Sequence, residues 1–280
     1  MGQLLGLPPE LLWLIAEHLY HDKAALRAFS LVSRALLRPS QSQLFKYISI
    51  RLRRIESDGS LRKAGGVRGR ISLDSGATQV LSYTRTLSLS TLEPFALPQQ
   101  LDDIFDYLIA FKNIKKLRIP LFATHYVRHP PTPLAHYFGH FQPTLRSLHL
   151  ETWLTNPWDL ITFIASFPLL EDVTIQPVDS YNLPTLQENK PGGFKPAALL
   201  PFRGSLRLDR FYQENTFILE LVKSRVQYHT LSFRNVTVWT GVQELIVACA
   251  PTLRVLDFFS LTCEYHPPTF QANRRRIVDV

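Results

Sequence analysis

A chain of 280 residues, 45% of them hydrophobic and 19% charged, buries roughly three quarters of its unfolded surface on folding, which suits a small module beside a larger domain and excludes an intrinsically disordered chain. Two cysteines, Cys249 and Cys263, are too few for a disulfide framework, and no apolar run approaches the roughly eighteen residues of a membrane span. The formal charge of +8 admits a nucleic acid, an acidic membrane surface or an acidic protein as partner, and its sign alone does not choose among them. No charged-then-apolar targeting segment opens the chain. Gly2 is followed by Gly6 where acylation wants Ser or Thr, and Asn235-Val236-Thr237 has glycosylation spacing without a secretory signal. A cytoplasmic or nuclear protein that crosses no membrane is expected.

The first elements lie between Leu7 and Phe45. Pro8 and Pro9 sit where a helix's first turn tolerates a missing N–H, and Glu10 adds negative charge at the positive end of the helix dipole. Leu11, Leu12, Ile15 and Leu19 follow as an apolar stripe at helical spacing. After the polar break His21-Asp22-Lys23, a second short pattern carries Leu26 and Phe29, and Ser30-Leu31-Val32-Ser33-Arg34 leads into a third. So few apolar groups make no independent core, so this unit, residues 1–47, needs a partner helix or the rest of the chain.

Taken together, Leu7, Pro8, Pro9, Glu10, Leu11, Ile15, His18, Leu19, Asp22, Lys23, Ala25, Leu26, Arg27, Ser30, Leu31, Val32, Ser33, Arg34, Leu44, Phe45 and Ile48 resemble the F-box family, especially the large group from mushroom-forming fungi. The resemblance implies docking onto a Skp-type adaptor, and through it onto the cullin and RING subunits of a ubiquitin ligase. The adaptor contacts it implies are Leu7, Pro8, Leu11, Ile15, Leu19, Leu26 and Val32. Leu36 stands where the family carries tryptophan, and Leu36→Trp is expected to leave adaptor affinity equal or improved. The match covers about a sixth of the chain and is silent on the substrate.

Arg51, Arg53, Arg54, Arg62, Lys63, Arg68 and Arg70, interleaved with Gly59, Gly65, Gly66 and Gly69, read as a solvated basic loop over about residues 51–70. Beyond it an apolar-x-apolar pair recurs: Leu87/Leu89, Leu117/Ile119, Leu148/Leu150, Val173/Ile175, Leu206/Leu208, Leu231/Phe233 and Leu256/Phe258, with Ile48/Ile50 as a candidate opening strand. The segments between carry helical stripes: Leu101, Ile104, Phe105, Leu108 and Ile109; Leu134, Tyr137, Phe138 and Phe141; Leu160, Ile161, Ile164 and Phe167 after the start signal Asn156-Pro157-Trp158-Asp159; Phe217, Ile218, Leu221 and Val222; and Val242, Leu245, Ile246 and Cys249. Residues 176–203, rich in proline and glycine, read as a long surface loop. The expected fold is therefore α/β: a three-helix F-box, then an irregular leucine-rich-repeat-like solenoid with a parallel sheet over residues 48–280. This part also resembles the degenerate repeats that follow the F-box in the same fungal group, although it lacks the asparagine ladder of stricter repeats. A non-repetitive α/β domain is the alternative.

No nucleophile elbow, phosphate-binding loop, zinc-protease helix or dinucleotide fingerprint occurs, so the chain is expected to be non-catalytic and to need no cofactor. His125, His129, His136 and His140 form two i, i+4 pairs, but Pro130, Pro131 and Pro133 separate them; they read as loop and helix histidines rather than a metal site. Cys249 continues a helical stripe and reads as a core residue. Because strand side chains alternate, the residues flanking each apolar pair share an open face. There Lys116, Arg118, His149 and Arg207 are the candidate contacts to a protein substrate bearing acidic or phosphorylated residues. Two readings follow. One is a substrate receptor of a ubiquitin ligase; the other is a basic nucleic-acid-binding solenoid with a degenerate F-box, in which Trp153, Trp158, Tyr212 and Trp239 could stack on bases.

Overall fold

Three helices open the chain. Helix α1 spans Pro9–His18, with Pro8 at its N-cap and Glu10 in its first turn. Helix α2, Lys23–Val32, is capped by Asp22, whose carboxylate accepts a 2.8 Å hydrogen bond from the Ala25 N–H. Helix α3, Arg34–Leu44, is capped by Ser33, whose hydroxyl accepts from the Leu36 N–H at 3.3 Å. Each cap satisfies a first-turn donor that would otherwise lack a partner. The computed structural model describes residues 6–52, 81–91, 105–121, 134–152, 157–177, 204–211, 216–224, 227–236, 239–259 and 274–278.

The remaining elements form one α/β array around a nine-stranded sheet whose spatial order is the chain order. Its strands are β1 Tyr47–Leu52, β2 Thr86–Thr91, β3 Lys116–Leu121, β4 Ser147–Thr152, β5 Asp172–Pro177, β6 Ser205–Asp209, β7 Thr230–Arg234, β8 Val255–Phe259 and β9 Arg274–Val278. The first eight are parallel. Parallel neighbours require a crossover between them, and helices supply several: residues 105–110, α4 Leu134–Phe138 with a following 3-10 turn, α5 Pro157–Ala165, α6 Thr216–Lys223 and α7 Trp239–Cys249.

Every apolar pair read from the sequence lands on a strand, in register with the next: Leu87 beside Leu117, Leu148 beside Val173, Leu206 beside Leu231. From β2 to β7 both members of each pair are at most 2% exposed, because they point into the layer between sheet and helices. At the two ends of the parallel row Ile48, Ile50, Leu256 and Phe258 are only partly buried. The helical stripes supply the other half of that core, through Leu108, Tyr137, Phe138, Phe141, Leu160, Ile161, Ile164, Phe167, Phe217, Ile218, Leu221, Val242, Leu245 and Cys249. Ile109 is an exception, 47% exposed; the inward stripe runs instead through Phe105, Leu108 and Phe111. Helices α6 and α7 meet closely at Gly241, where a Cβ would stand 3.3 Å from Ile218 Cγ2.

Three boundaries differ from expectation. Tyr47 already belongs to β1, so the helical unit ends at Phe45; the basic segment begins as strand, at Arg51 and Leu52; and Gln176 and Pro177 finish β5 rather than starting a loop. A further correction is β9, which runs antiparallel to β8. It covers an edge that would otherwise present unpaired backbone groups. Leu101, Ile104, Asn156, and residues 53–70 and 178–203 of the two expected loops lie outside the described residues.

The turns before the strands are stitched by hydrogen bonds. Asn113 Nδ2 donates to the Ser82 carbonyl at 2.8 Å, Thr144 Oγ1 to Ile114 at 2.8 Å and Thr252 Oγ1 to Tyr228 at 3.1 Å. Each of these residues lies three positions before its strand. Asparagine and threonine thus share a polar ladder that a search for asparagine alone does not detect. Beside it, the N–H of the residue just before β2, β3, β4, β5, β7 and β8 donates across to the preceding turn, as in Lys115 to Arg85 at 2.8 Å and Arg254 to His229 at 2.8 Å, while at β6 the Ser205 N–H donates to Glu171 at 2.7 Å.

Candidate functional site

The three N-terminal helices bury few apolar side chains of their own: Leu12, Ala16, Leu26, Leu36 and Pro39. Eleven large hydrophobic residues are exposed among the described residues, and six of them lie on these helices: Leu11, Trp13, Leu14, Leu31, Val32 and Leu37. Leu31 is 87% exposed and Val32 56%. Scattered apolar residues on a surface are ordinary, whereas a concentration of them on one small unit is the kind of surface that interaction sites present.

Among the residues implied by the F-box resemblance, Pro8, Leu11 and Val32 are exposed, while Leu7, Ile15 and Leu19 are half-buried. Leu26 is fully buried. Its part is to hold the helices together, so the list of surface contacts loses it. Sequence reasoning passed over Trp13, Leu14 and Leu37, although the run Leu11-Leu12-Trp13-Leu14-Ile15-Ala16 carried the signal: six consecutive apolar residues cannot all face inward from a helix with 3.6 residues per turn. Leu36, in the family's tryptophan position, is 1% exposed.

The open face of the sheet presents its side chains in rows. One row runs Ser49, Ser88, Arg118, His149, Thr174, Arg207, Ser232 and Asp257 across successive strands. Arg118 and Arg207 are three strands apart, about 14 Å at the usual strand spacing; Lys116 lies one row below Arg118, and both Lys116 and Arg207 are exposed. Arg118 is engaged within the protein. Its Nε donates to Glu151 Oε1 at 2.7 Å and its Nη2 donates to the same oxygen. Glu151 is a residue the sequence reading missed, because the apolar pair was bracketed by only one residue on each side, whereas β4 continues two residues past Leu150. Asp172, Asp209 and Asp257 also stand at open-face positions, so the face is mixed in charge rather than basic.

His149 packs between these groups, its Nε2 3.5 Å from Glu151 Oε1. Burial holds its pKa below the ordinary histidine value, the Arg118 charge pushes the same way, and Glu151 opposes both. His149 is therefore neutral at pH 7, and its contact with Glu151 is not an ion pair. Burial also lowers the pKa of His140, although its Nε2 donates to the Leu108 carbonyl at 2.9 Å. Both groups take up protons more readily when unfolded, so stability is complete above the ordinary histidine pKa near 6.5 and is lost as pH falls through the lower folded values. Urea midpoints measured across this window should decline towards acid, and His140→Gln with His149→Gln should flatten that decline; an equally steep decline in the double variant would assign it to other groups.

Among the described residues no cluster of three or more His, Cys, Asp or Glu is placed to hold a metal ion, and no helix is long and apolar enough to cross a membrane. His136 is exposed and stacks on Phe105 at 4.9 Å, while His125 and His129 lie outside the described residues. Cys249 is buried, and burial raises its thiol pKa, the setting of an inert core cysteine. Cys263, Trp153 and Tyr212 lie outside the described residues; Trp158 and Trp239 fall on α5 and α7. Comparison of the chain with protein-family models, with curated proteins and with solved structures finds no match.

Proposed function

We propose that this chain is a non-catalytic substrate-recognition subunit of a cullin-RING ubiquitin ligase, acting in the cytoplasm or nucleus. In this reading the helices α1, α2 and α3 are an F-box that docks on a Skp-type adaptor, and the sheet with its helices is a leucine-rich-repeat-like solenoid that holds a protein substrate. The observation that carries the proposal is the set of exposed apolar side chains on a unit with only five buried apolar residues. A surface of that kind gains by burial roughly 25 cal/mol for each Å² of apolar area withdrawn from water. The isopeptide chemistry belongs to other subunits of the ligase; this chain would raise the local concentration of a substrate lysine.

The test is co-purification from a cell extract with the proteasome blocked, comparing the intact chain with a version lacking residues 1–47. The intact chain should retain a Skp-type adaptor with cullin and RING subunits, and the shortened chain should lose them. Equal retention by both removes the proposal.

A further inference from the structure

We infer that the rim of the sheet at the N-terminal ends of strands β1 to β4 is a binding strip for an extended acidic segment of a protein. Lys46, Arg85, Lys115 and Arg146 are the residues immediately before those four strands. Backbone hydrogen bonds fix them in one row: the Arg85 N–H donates to the Lys46 carbonyl at 2.9 Å, Lys115 to Arg85 at 2.8 Å and Arg146 to Lys115 at 2.9 Å. At one strand spacing per step the row covers about 14 Å. Lys116 adds a charge beside Lys115. The row continues onto the helical unit, where Lys46 and Lys23 approach the Tyr20 ring, their Nζ atoms 5.3 and 4.8 Å from its centroid.

This strip differs from the open face in lacking internal neutralisation. Among the described residues only Arg146 meets a carboxylate, at 2.6 Å from Glu171 Oε1. Among the described residues Arg85 reaches the Asn113 carbonyl, at 3.5 Å. Lys23 has its pKa lowered first by burial and then by the nearby charge of Lys46. Glu171 occupies the next position of the row, before β5, and Gly204 the one after it, so the basic strip has a definite end.

Its dimensions favour a peptide. An extended chain advances about 3.3 Å per residue, so four or five residues span the strip. A nucleic-acid site typically gathers roughly six to ten phosphate contacts and stacking surfaces for bases; here five cations meet no carboxylate among the described residues, and Tyr47 is an exposed aromatic residue beside them. The inference deepens the receptor reading and rests on it for the biological role of the bound segment: the acidic part of a substrate lies along the rim, where all the cations but Arg146 meet no carboxylate among the described residues, rather than on Arg118.

The experiment is fluorescence anisotropy of the full chain with a labelled oligoglutamate peptide, and separately with labelled oligouridylate, while adaptor co-purification is followed in parallel. Oligoglutamate should bind, and Arg85→Glu with Lys115→Glu should weaken it roughly tenfold, as two exposed attractions become repulsions. Glu171→Gln, which releases Arg146, should tighten binding about two- to fivefold, a gain that general destabilisation does not produce. Affinity unchanged in either variant, or tighter binding of oligouridylate than of oligoglutamate, overturns the inference. Loss of the adaptor with peptide binding intact would defeat the receptor reading alone, and the converse would defeat the rim alone.

Discussion

Leu31→Lys combined with Val32→Lys is expected to abolish adaptor binding while leaving the fold intact. Both side chains are exposed, at 87% and 56%, so their loss removes little from the folded chain, and substitutions of this kind usually stay within about 0.5 kcal/mol in stability. Lysine suits the site because α2 ends at Val32, where a cation complements the helix dipole. In a complex the same positions would be desolvated. Each lost apolar anchor costs roughly 1–3 kcal/mol, and burying an ammonium group adds to that. Affinity should therefore fall at least about a hundredfold, with an unchanged urea midpoint. A variant that melts with the parent and still binds the adaptor would show that the docking surface lies elsewhere.

The second large effect lies beneath that surface. Leu36 is 1% exposed, on a helix that packs against both α1 and α2. Leu36→Ala should cost about 2–5 kcal/mol through the cavity it leaves. Leu36→Trp should cost about 1–3 kcal/mol in stability by overpacking, an effect separate from the equal or improved adaptor affinity expected of it from the family resemblance. Hydrogen exchange of α2 and α3 reads both effects directly. Because the unit holds only five buried apolar residues, faster exchange should appear there before it reaches the sheet. A Leu36→Trp chain as protected as the parent would show that the helices can accommodate the larger ring.

The sheet was the most legible part of the chain. Strands β1 to β8 were readable because a strand under a helical layer needs two inward apolar residues one position apart, and those pairs recur at Leu87/Leu89, Leu117/Ile119 and onward. Strand β9 was not, since Arg274-Arg275-Arg276 gives no apolar alternation and its pairing depends on β8. On the helices, periodicity placed the stripes but not the rotation of every one: Ile109 turns outward while Phe111 turns in. The N-terminal unit was hardest for the same reason. Leu11, Leu12, Trp13, Leu14, Ile15 and Ala16 satisfy several helical phases at once, and only packing decides that Leu12 and Ala16 are inside.

Charge was legible as composition and illegible as arrangement. Lys116, Arg118, His149 and Arg207 do share the open face, yet Glu151 reaches Arg118 across the β3–β4 register and Asp172, Asp209 and Asp257 share the sheet surface. The aligned row of Lys46, Arg85, Lys115 and Arg146 exists only once the strands are paired, because in the chain these residues are dozens of positions apart. A parallel sheet built in chain order converts such distant repeats into neighbours.

The most direct measurement is a calorimetric titration of a purified Skp-type adaptor into the purified full chain and, in parallel, into the Leu31→Lys, Val32→Lys variant. The account predicts saturable one-to-one binding by the parent, with a negative heat-capacity change from buried apolar surface, and no detectable heat with the variant. Absence of binding by the parent, or equal binding by the two chains, would contradict it.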